Sequence, residues 1–274
     1  MKPVMKIGIF DSGLGGLIIT HSLTQALPEY DYLYLGDTAR VPYGNRSAQT
    51  IYEFTRQSVE YLFAQDCGLI IIACNTASAE ALRRIQRDYL PTHYPQRRVL
   101  GVLIPAAEAA VAASAGGHIG VIATTGTITS RAFDRELRKL RPTLKITRQA
   151  APLLVPLIED GGAQWAEQVL AQYLEPLRGV DTLILGCTHY PYLKTQFREQ
   201  MGEHVTVISQ DEFIPQKLTE YLGRHRELAH QLSRGGTHTF QVTDLTPQAH
   251  QLGKELYGEA IYLDLVTLPA ADKP

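Results

Sequence analysis

Two stretches of the chain each deliver a thiol. Leu183-Ile184-Leu185-Gly186-Cys187-Thr188-His189-Tyr190-Pro191 carries a short apolar run into a glycine, then sets a thiol, a hydroxyl and an imidazole together. Leu69-Ile70-Ile71-Ile72-Ala73-Cys74-Asn75-Thr76 repeats the plan with a small residue, a cysteine and two polar residues. Each reads as a buried strand with reactive groups at its carboxyl end, where open α/β sheets keep their sites. Two thiols on separate strand ends are the smallest set that takes a proton from one face of a carbon and returns one to the other. One must start as thiolate and the other as thiol. A free cysteine titrates near 8.5 and is pulled down by positive charge or a helix N-terminus. Cys74 and Cys187 each precede an expected helix start, so both gain from the helix dipole. His189, two residues beyond Cys187, is suited to relay or hold a proton. Asp11 ends an expected strand in the first half and is suited to the same task beside Cys74.

Blander readings compete with these. A lone cysteine at a strand end is ordinarily a small buried hydrophobe. That reading fits Cys67, in Gln65-Asp66-Cys67-Gly68, better than it fits two cysteines in matching contexts. Asp11-Ser12-Gly13-Leu14-Gly15-Gly16 invites a dinucleotide site, but it lacks the G-x-G-x-x-G spacing and its aspartate would repel phosphate. No lysine stands in a pyridoxal context, so an electron-sink cofactor is not expected. Arg83-Arg84 and Arg97-Arg98 read as solvated faces.

Composition sets the class. The 274 residues, 45% hydrophobic and 20% charged, suit a soluble globular protein of one large or two smaller domains. A net charge of −2 gives no basic field for nucleic acid. No apolar run reaches the roughly 18 residues of a membrane span. Met1-Lys2-Pro3-Val4-Met5-Lys6 leads directly into a strand and does not read as a signal peptide. Three widely spaced cysteines point to a reducing cytoplasm rather than a disulfide framework, and no metal site is expected.

The elements that must hold the thiols alternate. Strands are expected at 5–10, 32–35, up to Cys74, 99–104, 118–123, 145–149, up to Cys187, 205–208, 238–242 and 261–266. Helices are expected between them, with Ser47, Thr76 or Ser78, Ser130 and Thr246 as caps. The stretches 36–45 and 151–162 read as loops, and Ala270 to Pro274 as a frayed tail. Such alternation implies parallel sheets of βαβ units. The chain also reads as a duplication. An Ile-Gly strand opens each half, at Ile7 and Ile119, and Cys74 and Cys187 follow 67 and 68 positions later. Two similar halves face to face would set the two thiols across one cleft.

These motifs together resemble the glutamate racemases of the cofactor-independent aspartate/glutamate racemase family, over nearly the whole chain. The resemblance rests on Asp11-Ser12-Gly13-Leu14-Gly15-Gly16, Asp37-Thr38-Ala39-Arg40-Val41-Pro42-Tyr43-Gly44, Ala73-Cys74-Asn75-Thr76-Ala77-Ser78, Val155-Pro156-Leu157-Ile158-Glu159 and Gly186-Cys187-Thr188-His189-Tyr190-Pro191. It implies two similar α/β domains with mostly parallel sheets and the active site in the cleft between them. The first would comprise residues 1–98 and 210–274, the C-terminal segment returning to it, and the second residues 99–209. It implies interconversion of L- and D-glutamate for peptidoglycan synthesis, with Cys74 and Cys187 as the acid/base pair. Asp11 would assist Cys74, and His189 and Glu159 would assist Cys187. Asp11, Ser12, Tyr43, Gly44, Asn75, Thr76, Thr124, Thr188 and His189 would bind substrate. It further implies a cytoplasmic homodimer without cofactor or metal. The rival readings are a sibling racemase for another acidic amino acid, and a regulatory protein that kept the fold.

Overall fold

The computed structural model describes residues 5–258 and 261–269. The expected tail at 270–274 and the first four residues lie outside them. The chain forms two sheets, and every strand pair in both is parallel. The first contains β1 (Lys6–Asp11), β2 (Tyr32–Gly36), β3 (Cys67–Ile72) and β4 (Arg98–Gly101). The second contains β5 (His118–Ala123), β6 (Lys145–Ala150), β7 (Thr182–Gly186) and β8 (Thr206–Ile208). The chain then returns, and β9 (His238–Val242) and β10 (Leu263–Leu265) extend the first sheet beyond β2.

The order of the first sheet is β10-β9-β2-β1-β3-β4, and that of the second is β6-β5-β7-β8. The four-strand core of each half is therefore wound identically, with β1, β2, β3 and β4 answered by β5, β6, β7 and β8. The strand expected at 99–104 is shorter. It pairs at 98–101 with β3, so residues 99–101, expected in the second domain, belong to the first sheet. The helix expected from Pro105 already begins at Leu103, as Leu103–Ala113.

Side-chain alternation places each sheet in its core. Ile7 and Ile9 of β1 pack on one face with Leu17, Ile19 and Leu23 of the helix Gly16–Ala26. Phe10, Leu33, Leu35, Ile70 and Ile72 pack on the other with Ile51, Val59, Leu62 and Phe63 of the helix Ala48–Ala64. Each such side chain contributes about 1.5–3 kcal/mol when fully buried. β3 is buried at every position, which is why its sequence is a continuous apolar run rather than an alternating one.

The caps differ in part from expectation. Ser47 and Thr246 cap as expected, accepting from Thr50 N and Ala249 N. The helix Asn75–Glu80 is capped by Cys74 itself, not by Thr76 or Ser78. Thr124 caps Thr125–Ser130, after which Arg131 turns left-handed at φ 57°. Ser130 then accepts from Ala132 N at the start of Ala132–Leu140. The loop expected at 151–162 contains a helical turn, Leu154–Glu159. Its Pro156 sits in the first turn, where no backbone donor is missed.

Candidate active site

The site grows out of the winding. In each half the second strand lies on one side of the first and the third on the other, so a crevice opens at the carboxyl ends between them. Between β1 and β3 that crevice receives Ser12 and Cys74. Between β5 and β7 it receives Thr124 and Cys187. The two crevices share one cavity of about 260 Å³. It is lined by Ser12, Tyr43, Gly44, Cys74, Asn75, Thr76, Thr124, Glu159, Cys187, Thr188 and His189. Every residue expected at the site therefore meets there except Asp11, which lies fully buried behind the lining. The lining also includes Gly13, Val41, Pro42, Asn45, Pro152, Val155, Pro156 and Asp160, which sequence reasoning left out. Gly13, Val41, Pro42, Val155 and Pro156 stand inside the quoted motifs, so the signal for them was proximity to assigned residues. Two larger hollows, of about 360 and 390 Å³, contain no cysteine.

Both cleft thiols are free, as is that of Cys67. Cys74 Sγ lies 3.2 Å from Ser12 Oγ and accepts from Ala77 N at 3.4 Å. Burial pushes this thiol up to about 12, and the neighbouring Asp11 charge acts the same way against the two hydrogen bonds. Cys74 therefore carries its proton at neutral pH. Asp11 was expected to assist the Cys74 side, and its charge acts on that thiol. Its carboxylate accepts from Gly13 N at 3.1 Å and from Thr188 Oγ1 at 3.2 Å. Ser12 is the side chain that reaches the sulfur.

The Cys187 side is built differently. His189 Nδ1 lies 4.0 Å from Cys187 Sγ, and its Nε2 meets Glu159 Oε1 at 2.8 Å. Burial opposes charge on this ring, yet the hydrogen bonds and charges of Cys187 and Glu159 outweigh it. They hold His189 well above the ordinary imidazole value. Asp11 is raised by burial, against the His189 charge and its own hydrogen bonds. The cleft thus sets a protonated thiol on one wall and a thiol beside a cationic imidazole on the other.

Neutral hydroxyls and amides complete the walls. Thr76 Oγ1 is 2.9 Å from Thr124 Oγ1 and 3.2 Å from Thr127 Oγ1, linking the two halves. Tyr43 donates to the fully buried Asp37, which also takes Arg40 Nε at 2.6 Å and Thr243 Oγ1 at 3.0 Å. That network fixes the loop carrying Tyr43 and Gly44. Gly15 allows a close approach: a Cβ there would overlap His189 Nδ1 and stand 2.6 Å from Thr188 Oγ1. Among the described residues, no group of three His, Cys, Asp or Glu side chains is placed to hold a metal ion. Nor is any described helix long and apolar enough to cross a membrane.

Known proteins share this fold. The Asp/Glu/Hydantoin racemase family matches the chain over residues 7–210. The glutamate racemase of Geobacter metallireducens is 39% identical over 264 residues, covering 93% of this chain and 94% of that one. The structure of glutamate racemase isoform RacE1 from Bacillus anthracis superposes with a TM-score of 0.88 at 34% identity, covering 97% and 99% of the two chains. That of the Francisella tularensis glutamate racemase in complex with D-glutamate superposes with a TM-score of 0.84 at 32% identity, covering 97% and 98%.

Proposed function

The chain belongs to the Asp/Glu/Hydantoin racemase family, and from that premise we propose that its cleft interconverts L- and D-glutamate by proton transfer between two thiols. The observation that carries the mechanism is the unequal pair, with Cys74 held as a thiol and Cys187 beside a cationic His189. Cys187, acting as the base with His189 Nδ1 at 4.0 Å from its sulfur, removes the α-proton from one face. The electron pair stays on the α-carbon, and Cys74 delivers its proton to the opposite face. The product leaves Cys74 as thiolate and Cys187 as thiol. The reverse reaction starts from that state, so one site serves both enantiomers. Desolvation in a closed cleft strengthens the electrostatics that stabilise the carbanion. Glu159 anchors His189, while Asp11 holds Thr188. Ser12, Tyr43, Gly44, Asn75, Thr76, Thr124, Thr188 and His189 receive the amino acid. The activity supplies D-glutamate to peptidoglycan synthesis in the cytoplasm, and the active species is a homodimer, which sedimentation velocity tests.

The deciding experiment incubates purified protein with L-glutamate in deuterated water without added cofactor, followed by chiral analysis. The expected product is D-glutamate labelled at the α-carbon. Absence of both label and D-product overturns the reading. Activity that is lost on dialysis against chelator and regained with metal overturns the two-thiol chemistry.

A further inference from the structure

One buried polar pair joins the cleft wall to the crossover between the two sheets without belonging to the proton-transfer machinery. Asn75 follows Cys74 at the start of its helix and lines the cleft. Gln210 opens the helix Gln210–Arg224, in the segment that leaves β8 of the second sheet and returns toward the first. Gln210 is 0% exposed and Asn75 2%. Their amides bond in both directions. Asn75 Nδ2 donates to Gln210 Oε1 at 2.9 Å, and Gln210 Nε2 donates to Asn75 Oδ1 at 2.7 Å.

A primary amide carries two N–H donors and an oxygen with two lone pairs. The reciprocal pair uses one donor and one lone pair of each residue. Asn75 keeps the others for a ligand in the cleft, whereas Gln210 does not line it. Apolar replacement of both partners of a buried hydrogen bond can be nearly neutral for stability. Stability alone therefore does not call for two amides here, but a fixed amide orientation does.

We propose that Gln210 is a positioning residue for substrate: through Asn75 it fixes the amide presented to the bound amino acid and ties that orientation to the crossover between the two halves. The inference rests on the racemase reading and deepens it. Steady-state kinetics in both directions test it, on the wild type, Gln210→Met, Asn75→Ala and the double variant. Methionine keeps the length of glutamine but can neither donate nor accept in this way. Gln210→Met should raise KM roughly tenfold, the loss expected for about 1.4 kcal/mol of binding, with a smaller change in kcat. The double variant should be no worse than Asn75→Ala, because Gln210 acts only through Asn75. A mere loss of folded protein lowers kcat and leaves KM in place. An unchanged KM in folded Gln210→Met, or losses that multiply in the double variant, overturns the proposal. Should Gln210→Met fail to fold, Gln210→Asn shortens the reach while keeping the amide. It should raise KM likewise, and an unchanged KM there also overturns the proposal. A wild type without racemase activity removes the racemase reading and this inference together. An active wild type with an unmoved variant KM removes this inference alone.

Discussion

Thr188 Oγ1 donates to Asp11 Oδ1 at 3.2 Å, so the residue after one thiol is tied to the strand end beneath the other. This hydrogen bond joins chain positions 177 residues apart. It places Asp11 as a brace between the halves, while its charge adds to the burial that pushes the Cys74 thiol up.

Replacement of either cleft thiol by serine should abolish racemisation. A serine hydroxyl does not supply an alkoxide base near neutral pH, and each turnover needs both groups. Each variant should retain α-proton exchange with one enantiomer only, and the two variants should prefer opposite enantiomers. NMR of the α-position in deuterated water reads this directly. Identical preferences would refute opposed faces. Cys67→Ser is the control: its thiol is fully buried beside Gly8, so turnover per folded molecule should be kept.

Glu159→Gln should move the alkaline limb of activity to lower pH. His189 is held above its ordinary value partly by the Glu159 carboxylate. Removing that charge lowers the pH at which the ring loses its proton. The variant should also lose roughly one to two orders of magnitude in kcat. A pH–rate profile in both directions measures the shift, and a limb that stays in place or moves upward contradicts it.

Gly15→Ala should damage activity more than stability. The added methyl group would press on His189 and Thr188, both of which face the cleft. Overpacking of this kind costs about 1–3 kcal/mol. Urea unfolding alongside kinetics separates the two losses, and an active variant with low stability would contradict the reading.

Asp31 should make the return of the C-terminal segment acid-sensitive. Burial works against its charge, but hydrogen bonds from the Ser233, Thr237 and Gly235 region hold it down to about 2. Thr237 N reaches it at 2.8 Å and Gly235 N at 3.2 Å. A depressed carboxyl contributes stability above its unfolded value, near 3.9, and loses it as pH falls through the folded one. Wild-type stability should therefore fall between about pH 4 and pH 2 more steeply than that of Asp31→Asn. Unfolding midpoints across that window decide the point.

The strands were readable because buried parallel strands are written as continuous apolar runs, as in Leu69 to Ile72 and Leu183 to Leu185. The thiols were readable because each stands where such a run stops. Pairings between distant polar groups were not. Thr188 with Asp11 and Asn75 with Gln210 depend on how two halves meet, which no local pattern encodes. Cys74 was missed as a helix cap because sulfur is a weak acceptor, and in sequence the oxygens of Thr76 and Ser78 compete for that role. The turn ending at Glu159 was hidden by two prolines, Pro152 just before it and Pro156 within its first turn.

The return of β9 and β10 to the first sheet also sets a timetable during synthesis. β2 emerges early, yet its outer neighbour β9 follows roughly two hundred residues later, or roughly ten to forty seconds at ribosomal speeds. Through that interval Tyr32–Gly36 presents a bare edge open to other nascent chains. The 38–40 segment, which bonds Thr243 and Asp244, also waits for its partners. The bond from Thr243 to Asp37, which braces the wall bearing Tyr43, therefore forms only after β9 has been made.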